Sequence, residues 1–196
     1  MRTSLLLLLA ATSGCASDSI DSNEQARRAY LALDPSVETS MALGFDGFNT
    51  ANSANIAPQM AAGSVAGDLT ITGQVDQGSS ANKGMRLFVA MTGFNDGPVA
   101  VDSTGDMVDI TFATDAASQP ALTLSLKGIP TGTLTGTLVG TYHLTGDIAG
   151  DVVLNLAFNG QLADGGNGTV IRAPGTTTVV GTAVQGSGTY DVNVSF

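Results

Sequence analysis

The chain has 196 residues, which is enough for one domain with a full hydrophobic core. Charged residues make up only 12% of it, and 25 glycines accompany many threonines, a composition that favours β-structure with many turns. Seventeen acidic against seven basic side chains give a net charge of −10, which disfavours nucleic acid and anionic lipid headgroups as partners.

The first 14 residues have the pattern of an export signal. Arg2 supplies a positive n-region, and an apolar stretch follows from Leu5 to Ala11. This stretch is much shorter than the roughly 20 residues that a helix needs to span a bilayer. The sequence therefore predicts a signal peptide over residues 1–14.

The leader ends at Thr12-Ser13-Gly14-Cys15, which contains the only cysteine of the chain. This motif resembles the lipobox of bacterial lipoproteins, in which small residues precede a cysteine that becomes lipid-modified and N-terminal after cleavage. Thr12 departs from the aliphatic residue usual at that position. The resemblance implies lipidation at Cys15, and Ala16, where an aspartate would retain the protein in the inner membrane, implies the outer membrane. An ordinary signal-peptidase cut after Ala16 is the alternative.

Residues 15–22 are small and polar and predict a tether between the lipid anchor and the domain. A short helix is predicted over residues 23–34, because Ser22 and Gln25 have the spacing of a capping box. Its apolar face holds Ala26, Ala29, Tyr30 and Leu33, and Asp34-Pro35 is expected to end it. This face is expected to pack on the following domain, with a partner-docking helix as the alternative.

From Ser40 onward apolar residues recur at every second position, beginning with Met41, Leu43 and Phe45. Six further runs continue this alternation: Leu69 to Val75, Met85 to Met91, Val108 to Phe112, Leu122 to Leu126, Leu134 to Leu144 and Val152 to Phe158. A last run comprises Val180, Val184, Tyr190, Val192, Val194 and Phe196. The pattern predicts an all-β domain over residues 35–196, an antiparallel meander of about eight strands that forms a barrel or a sandwich. Glycines on the apolar faces, Gly136, Gly140 and Gly150, predict strong curvature.

The final residues "GTYDVNVSF" resemble the C-terminal signal of integral outer-membrane β-barrels. An ordinary last strand with Val192 and Val194 in a core is the preferred interpretation, since tryptophan is absent and aromatic residues are only 5% of the chain.

Candidate chemistry is sparse. His143, the only histidine, alternates with Thr141 and Thr145 on a polar face, and no motif resembles a nucleophile elbow. Asp102, Asp106 and Asp109 surround one turn and Asp164 stands near Asn167 in another, but neither has the spacing of a calcium loop, so solvated turn residues are expected. The sequence predicts no catalytic residue, cofactor or metal.

The resulting hypothesis is a lipid-anchored cell-envelope β-domain with a non-catalytic binding or structural role. Its expected partners are the membrane, through the anchor, and an envelope protein or a small apolar ligand. A lipocalin-like carrier of such a ligand is the alternative, because a barrel of about eight strands can hold one small molecule. An integral outer-membrane barrel is a third interpretation.

Overall fold

The structure is a computed structural model that describes residues 18–167 and 169–196. This part of the chain forms a helix, α1 (Asn23–Thr50), followed by twelve strands. The strands are β1 (Asn55–Ala62), β2 (Ala66–Val75), β3 (Lys83–Asn95), β4 (Val99–Ala100), β5 (Met107–Val108), β6 (Ile110–Ala113), β7 (Ala121–Lys127), β8 (Thr133–Gly146), β9 (Gly150–Gly166), β10 (Thr169–Arg172), β11 (Thr178–Gln185) and β12 (Gly188–Ser195).

Ten of these strands form one antiparallel sheet, which confirms the predicted all-β class. The path of the sheet runs β1-β2-β3-β6-β8-β9-β11-β12, with β7 bridging β3 and β8 and β10 paired to β9. The short β4 and β5 make a separate two-stranded ribbon. Each edge strand lies against α1, so the helix occupies the space between the two edges of the sheet.

The predicted helix end at Asp34-Pro35 is wrong, because α1 continues to Thr50. Pro35 removes one helical hydrogen bond, which costs about 3 kcal/mol relative to alanine. Leu33, Val37, Met41 and Phe45 follow at four-residue intervals and are all at most 5% exposed. Each such burial contributes about 1.5–3 kcal/mol, so the buried stripe outweighs the proline. The predicted strand through Met41 and Phe45 is therefore part of the helix.

The core lies between this helix stripe and the inward faces of the strands. Leu122 and Leu126 of β7 are fully buried, as the alternation predicts. The Tyr30 ring of the helix packs on Phe158 of β9 with ring centroids 6.3 Å apart. Outward positions carry mostly threonine, asparagine and charged side chains, so one face of the sheet is apolar and the other polar.

The inward-facing residues of β11 are one position away from the predicted ones. Val179 and Ala183 are fully buried, whereas Val180 is 50% exposed. The segment "TVVGTAVQ" holds apolar residues in both phases, so alternation alone does not select its inward face.

The predicted tether over residues 15–22 is wrong from residue 18 onward, and its residues 15–17 lie outside the described residues. The Asp18 backbone N–H donates to the Asp147 carbonyl (2.9 Å), and the Ala149 N–H donates to the Asp18 carbonyl (2.8 Å). Ile20 is 3% exposed, and its N–H donates to the Gln185 side chain. Residues 18–20 therefore belong to the folded domain.

The sheet has two ends. The end that we name the Asp18 end carries the β8–β9 turn (147–149) and the β11–β12 turn (186–187), next to the start of α1. The opposite end carries the β2–β3 turn (76–82) and the β7–β8 turn (128–132), which are joined by the Ile129 N–H bonded to the Ala81 carbonyl. Among the described residues, no helix combines the length and apolar character needed to cross a bilayer.

Candidate functional site

The most densely hydrogen-bonded charged cluster joins the middle of α1 to β10. Nη1 of Arg172 donates to Asp34 Oδ1 and Nη2 donates to Asp34 Oδ2, and both hydrogen bonds are 2.8 Å long. Nε of Arg172 donates to Glu38 Oε2 at 2.6 Å, and the Arg172 backbone N–H donates to Glu38 Oε1 at 3.2 Å. One guanidinium thus binds two carboxylates one helical turn apart.

The helix presents these carboxylates because residues four apart lie on one face. Pro35 lies between them and leaves a gap in the helical hydrogen bonding. The Ser36 hydroxyl donates to the Leu33 carbonyl at 2.7 Å. Arg172 therefore clamps the helix on both sides of the proline.

Burial strengthens this cluster. The side chains of Arg172 and Asp34 are only 11% and 12% exposed. Burial lowers the pKa of the Arg172 guanidinium, but the hydrogen bonds and charges of Asp34 and Glu38 raise it by more, so the group stays charged. The Tyr30 hydroxyl donates to Asp34 Oδ1, and burial, then the charge of Asp34, raises the pKa of Tyr30 well above its usual value.

We name the bonded side chains of Arg172, Asp34 and Glu38 the Arg172 clamp, and a surface cleft of about 280 Å³ opens beside it. Its walls include Pro174, Thr177 and the Phe196 ring, whose centre is 5.8 Å from the Arg172 Cζ atom. Two carboxylates against one guanidinium make the cleft acidic. The guanidinium is already bonded to both of them, so the arrangement is suited to holding α1 against β10 rather than to recognising an anion.

A second cleft, of about 320 Å³, lies at the opposite end of the sheet. Ile129 and Pro130 of the β7–β8 turn form one side, and Val170 and the β9–β10 turn form the other. The lining combines Ile129, Pro130 and Val170 with the polar Asp164, Asn167 and Thr169, and the size is compatible with a small ligand.

His143 lies on the outward face of β8, as predicted, but it is flanked by carboxylates. Nδ1 is 2.7 Å from Asp151 Oδ1, and Nε2 is 3.2 Å from Asp115 Oδ1. The hydrogen bond to Asp151 is the main reason that the pKa of His143 is raised. Both ring nitrogens can donate only in the protonated form, so the cluster favours imidazolium.

The acidic turn residues point to separate partners. Asp102 accepts hydrogen bonds inside its own turn from Thr104 and from the Asp106 N–H, while Asp106 pairs with Arg28 of α1. Asp109 accepts from the Asn95 side chain at 2.8 Å.

At the end of β9, Asp164 accepts from the Gly166 N–H, and Asn167, which follows the strand, has a φ of 52°. In the described part of the chain, no three histidine, cysteine or acidic residues form a group that could hold a metal ion.

Cys15, the one site residue that the sequence predicts, lies outside the described residues. The sequence analysis did not predict the ion pairs of Arg172 or the partners of His143. Arg172 is 134 positions from Glu38 and 138 from Asp34, and His143 is 28 positions from Asp115 and 8 from Asp151, so only the folded chain brings them together. One signal was available, since Asp34 and Glu38 are two carboxylates one turn apart in a chain with few charges.

Comparison with known proteins gives no relative: no protein family, no curated protein and no solved structure matches the chain. Its function has to be inferred from its own residues.

Proposed function

We propose that the chain is a lipoprotein of the bacterial cell envelope, anchored at the outer membrane by lipid on Cys15, and that its β-domain has a non-catalytic binding or structural role. The observation that carries this proposal is the position of Asp18. Its backbone hydrogen bonds with Asp147 and Ala149 fix the chain to the sheet three residues after Cys15. Cleavage before Cys15 would remove the apolar leader and keep Asp18 and its partners in the mature chain.

The polar groups support a non-catalytic role. His143 and Arg172 hold their carboxylate partners in ion pairs, and these pairs join separate elements. Groups bonded in this way are suited to fixing the structure, whereas a general base needs an accessible lone pair close to a substrate.

The packing supports a domain that faces water. Val192 and Val194 of the last strand are buried at 1% and 6% exposure, while Asp191, Asn193 and Ser195, which alternate with them, face outward. An integral barrel would need the reverse arrangement, with the apolar side chains toward lipid.

A carrier of a small apolar ligand is the second candidate, favoured by the cleft of Ile129, Pro130 and Val170. Native mass spectrometry of the purified protein tests it. A bare protein mass supports the binding or structural module, and a co-purified mass that Ile129→Asp removes would support the carrier instead, because the Ile129 side chain borders this cleft and is only partly buried. Val180→Asp, on an outward position of β11, is the matched control.

The anchor is tested by expressing the full chain in a bacterium with two membranes and measuring the intact mass. We expect a mature protein that begins at Cys15 and carries added acyl mass, found in the outer-membrane fraction. Cys15→Ser should abolish the added mass and release the protein from the membrane. A mature chain that begins at Ser17 without lipid would contradict the proposal and establish ordinary signal-peptidase cleavage.

A further inference from the structure

The segment between the proposed anchor and the domain is too short to act as a flexible tether. Cys15 precedes Asp18 by three residues, which span at most about 10 Å when fully extended. Asp18 itself is held in a parallel bridge with Ile148. A lipid on Cys15 would therefore hold the Asp18 end of the sheet within this distance of the bilayer.

The chain beyond Asp18 cannot lengthen this connection without breaking several contacts. Ile20 is buried, and its backbone N–H donates to the Gln185 side chain. Gln185 Nε2 in turn donates to the Ala149 carbonyl at 2.9 Å. The Gln25 side chain donates to Asp18 at 3.2 Å, and α1 begins at Asn23. The segment is thus fixed to the β8–β9 turn, to the end of β11 and to the first turn of the helix.

The direction of α1 shows which end of the domain lies far from the bilayer. The helix starts beside the Asp18 end, where Asn23 accepts from the Asp191 N–H. It finishes near the opposite end, where Lys83 Nζ lies 4.5 Å from the centre of the Phe48 ring. Its 28 residues correspond to about 42 Å at 1.5 Å per residue.

We infer that the domain stands on the membrane in a fixed orientation, with the Asp18 end facing the lipid surface and the opposite end displayed about 40 Å away. This inference rests on the lipid anchor proposed above. The turns 76–82 and 128–132, together with the cleft of Ile129 and Pro130, then lie at the end away from the bilayer. Asp18, Asp21 and Asp147 are exposed near this end, so their charges would repel anionic lipid and keep the domain on the bilayer rather than in it.

Two exposed turn serines provide a matched pair of reporter positions. Ser187 lies in the β11–β12 turn at the Asp18 end, and Ser79 lies in the β2–β3 turn at the opposite end. Ser187→Cys and Ser79→Cys of the lipidated protein would each carry a donor fluorophore. The proteins would be reconstituted into phosphatidylethanolamine–phosphatidylglycerol vesicles that contain a headgroup-labelled acceptor lipid.

We expect a large loss of donor emission at position 187 and little loss at position 79. Equal losses at both positions, or a larger loss at position 79, would overturn the fixed orientation. Ten glycine and serine residues inserted between Ser17 and Asp18 provide the control, because such a linker spans about 17 Å on average and should make the two losses similar.

The intact mass of each reconstituted sample separates the two proposals. A sample that carries acyl mass but shows equal losses overturns the orientation and leaves the anchor standing. A sample without acyl mass overturns the anchor, and the orientation with it.

Discussion

Arg172 shows how a single side chain stabilises a helix that contains a proline. Its guanidinium binds Asp34 and Glu38 on the two sides of Pro35, in a cluster whose central groups are nearly nine-tenths buried. Buried charges are costly to desolvate, so the cluster is stable only while all its partners are present.

Replacing this arginine should therefore strongly destabilise the fold. We expect Arg172→Met to lower the free energy of unfolding by about 3–5 kcal/mol, because the buried Asp34 carboxylate loses its partner. Urea denaturation followed by circular dichroism measures this. Arg86→Met is the control, since Arg86 pairs with Asp76 in an exposed salt bridge worth about 0–1 kcal/mol. Equal losses in the two variants would show that the clamp is not a stabilising unit.

His143 should make stability depend on pH. Its pKa in the folded protein is raised, chiefly by the hydrogen bond to Asp151, so the protonated form is favoured by folding. The resulting stabilisation is fully present below the ordinary histidine pKa of about 6.5 and is lost as the pH rises through the higher folded value. Denaturation from pH 5 to 9 should show this loss, and His143→Gln should remove it.

An NMR titration provides an independent measurement of the same pKa, because the chain has only one histidine. A His143 pKa at or below about 6.5 would contradict the hydrogen bonds between the imidazole and the flanking carboxylates of Asp151 and Asp115. The polar face of β8 was predicted from alternation with Thr141 and Thr145. Asp115 and Asp151 could not be predicted as partners, because strand register is a tertiary property.

At the scale of elements, α1 is the clearest limit of the sequence patterns. Met41, Leu43 and Phe45 have strand spacing, but Met41 and Phe45 also continue the four-residue spacing from Leu33 and Val37. A proline usually ends a helix, so the shorter helix was the better local interpretation. Only the sheet, which covers the continuous stripe, decides between the two. By contrast, Leu122, Leu124 and Leu126 alternate without ambiguity, and β7 was predicted correctly.

Two glycines of α1 give a matched prediction. A Cβ atom at Gly44 would lie 3.1 Å from the flexible Met85 sulfur, whereas one at Gly47 would lie 2.9 Å from the rigid Ile56 Cβ. Gly44→Ala should raise the free energy of unfolding by about 0.5–1 kcal/mol through helix propensity. Gly47→Ala should lower it by about 1–2 kcal/mol, because the clash outweighs the same gain. Thermal denaturation with both variants measures the difference, and a shift of the same sign in both would contradict this packing.

At the scale of the whole molecule, the net charge of −10 opposes the compact state through self-repulsion. Exposed charges are screened within about 10 Å at 0.1 M salt, whereas the buried Arg172 clamp is screened much less. Raising sodium chloride from 20 mM to 500 mM should therefore increase the free energy of unfolding in urea. A decrease would show that the exposed ion pairs outweigh the repulsion between the acidic groups.

The position of α1 between the two edge strands has a consequence for the protein during folding. An uncovered sheet edge is a template for pairing with another chain. β1 shields itself in part with Pro58 and a register shift, while β12 has the Asn23 side chain of the helix bonded to one of its outward N–H groups. The helix is made before every strand that it covers, so a newly made chain must keep it available until β12 is complete. If α1 packs elsewhere instead of against β1 and β12, both edges of the sheet are exposed at once. Such a chain would be a substrate for chaperones and proteases.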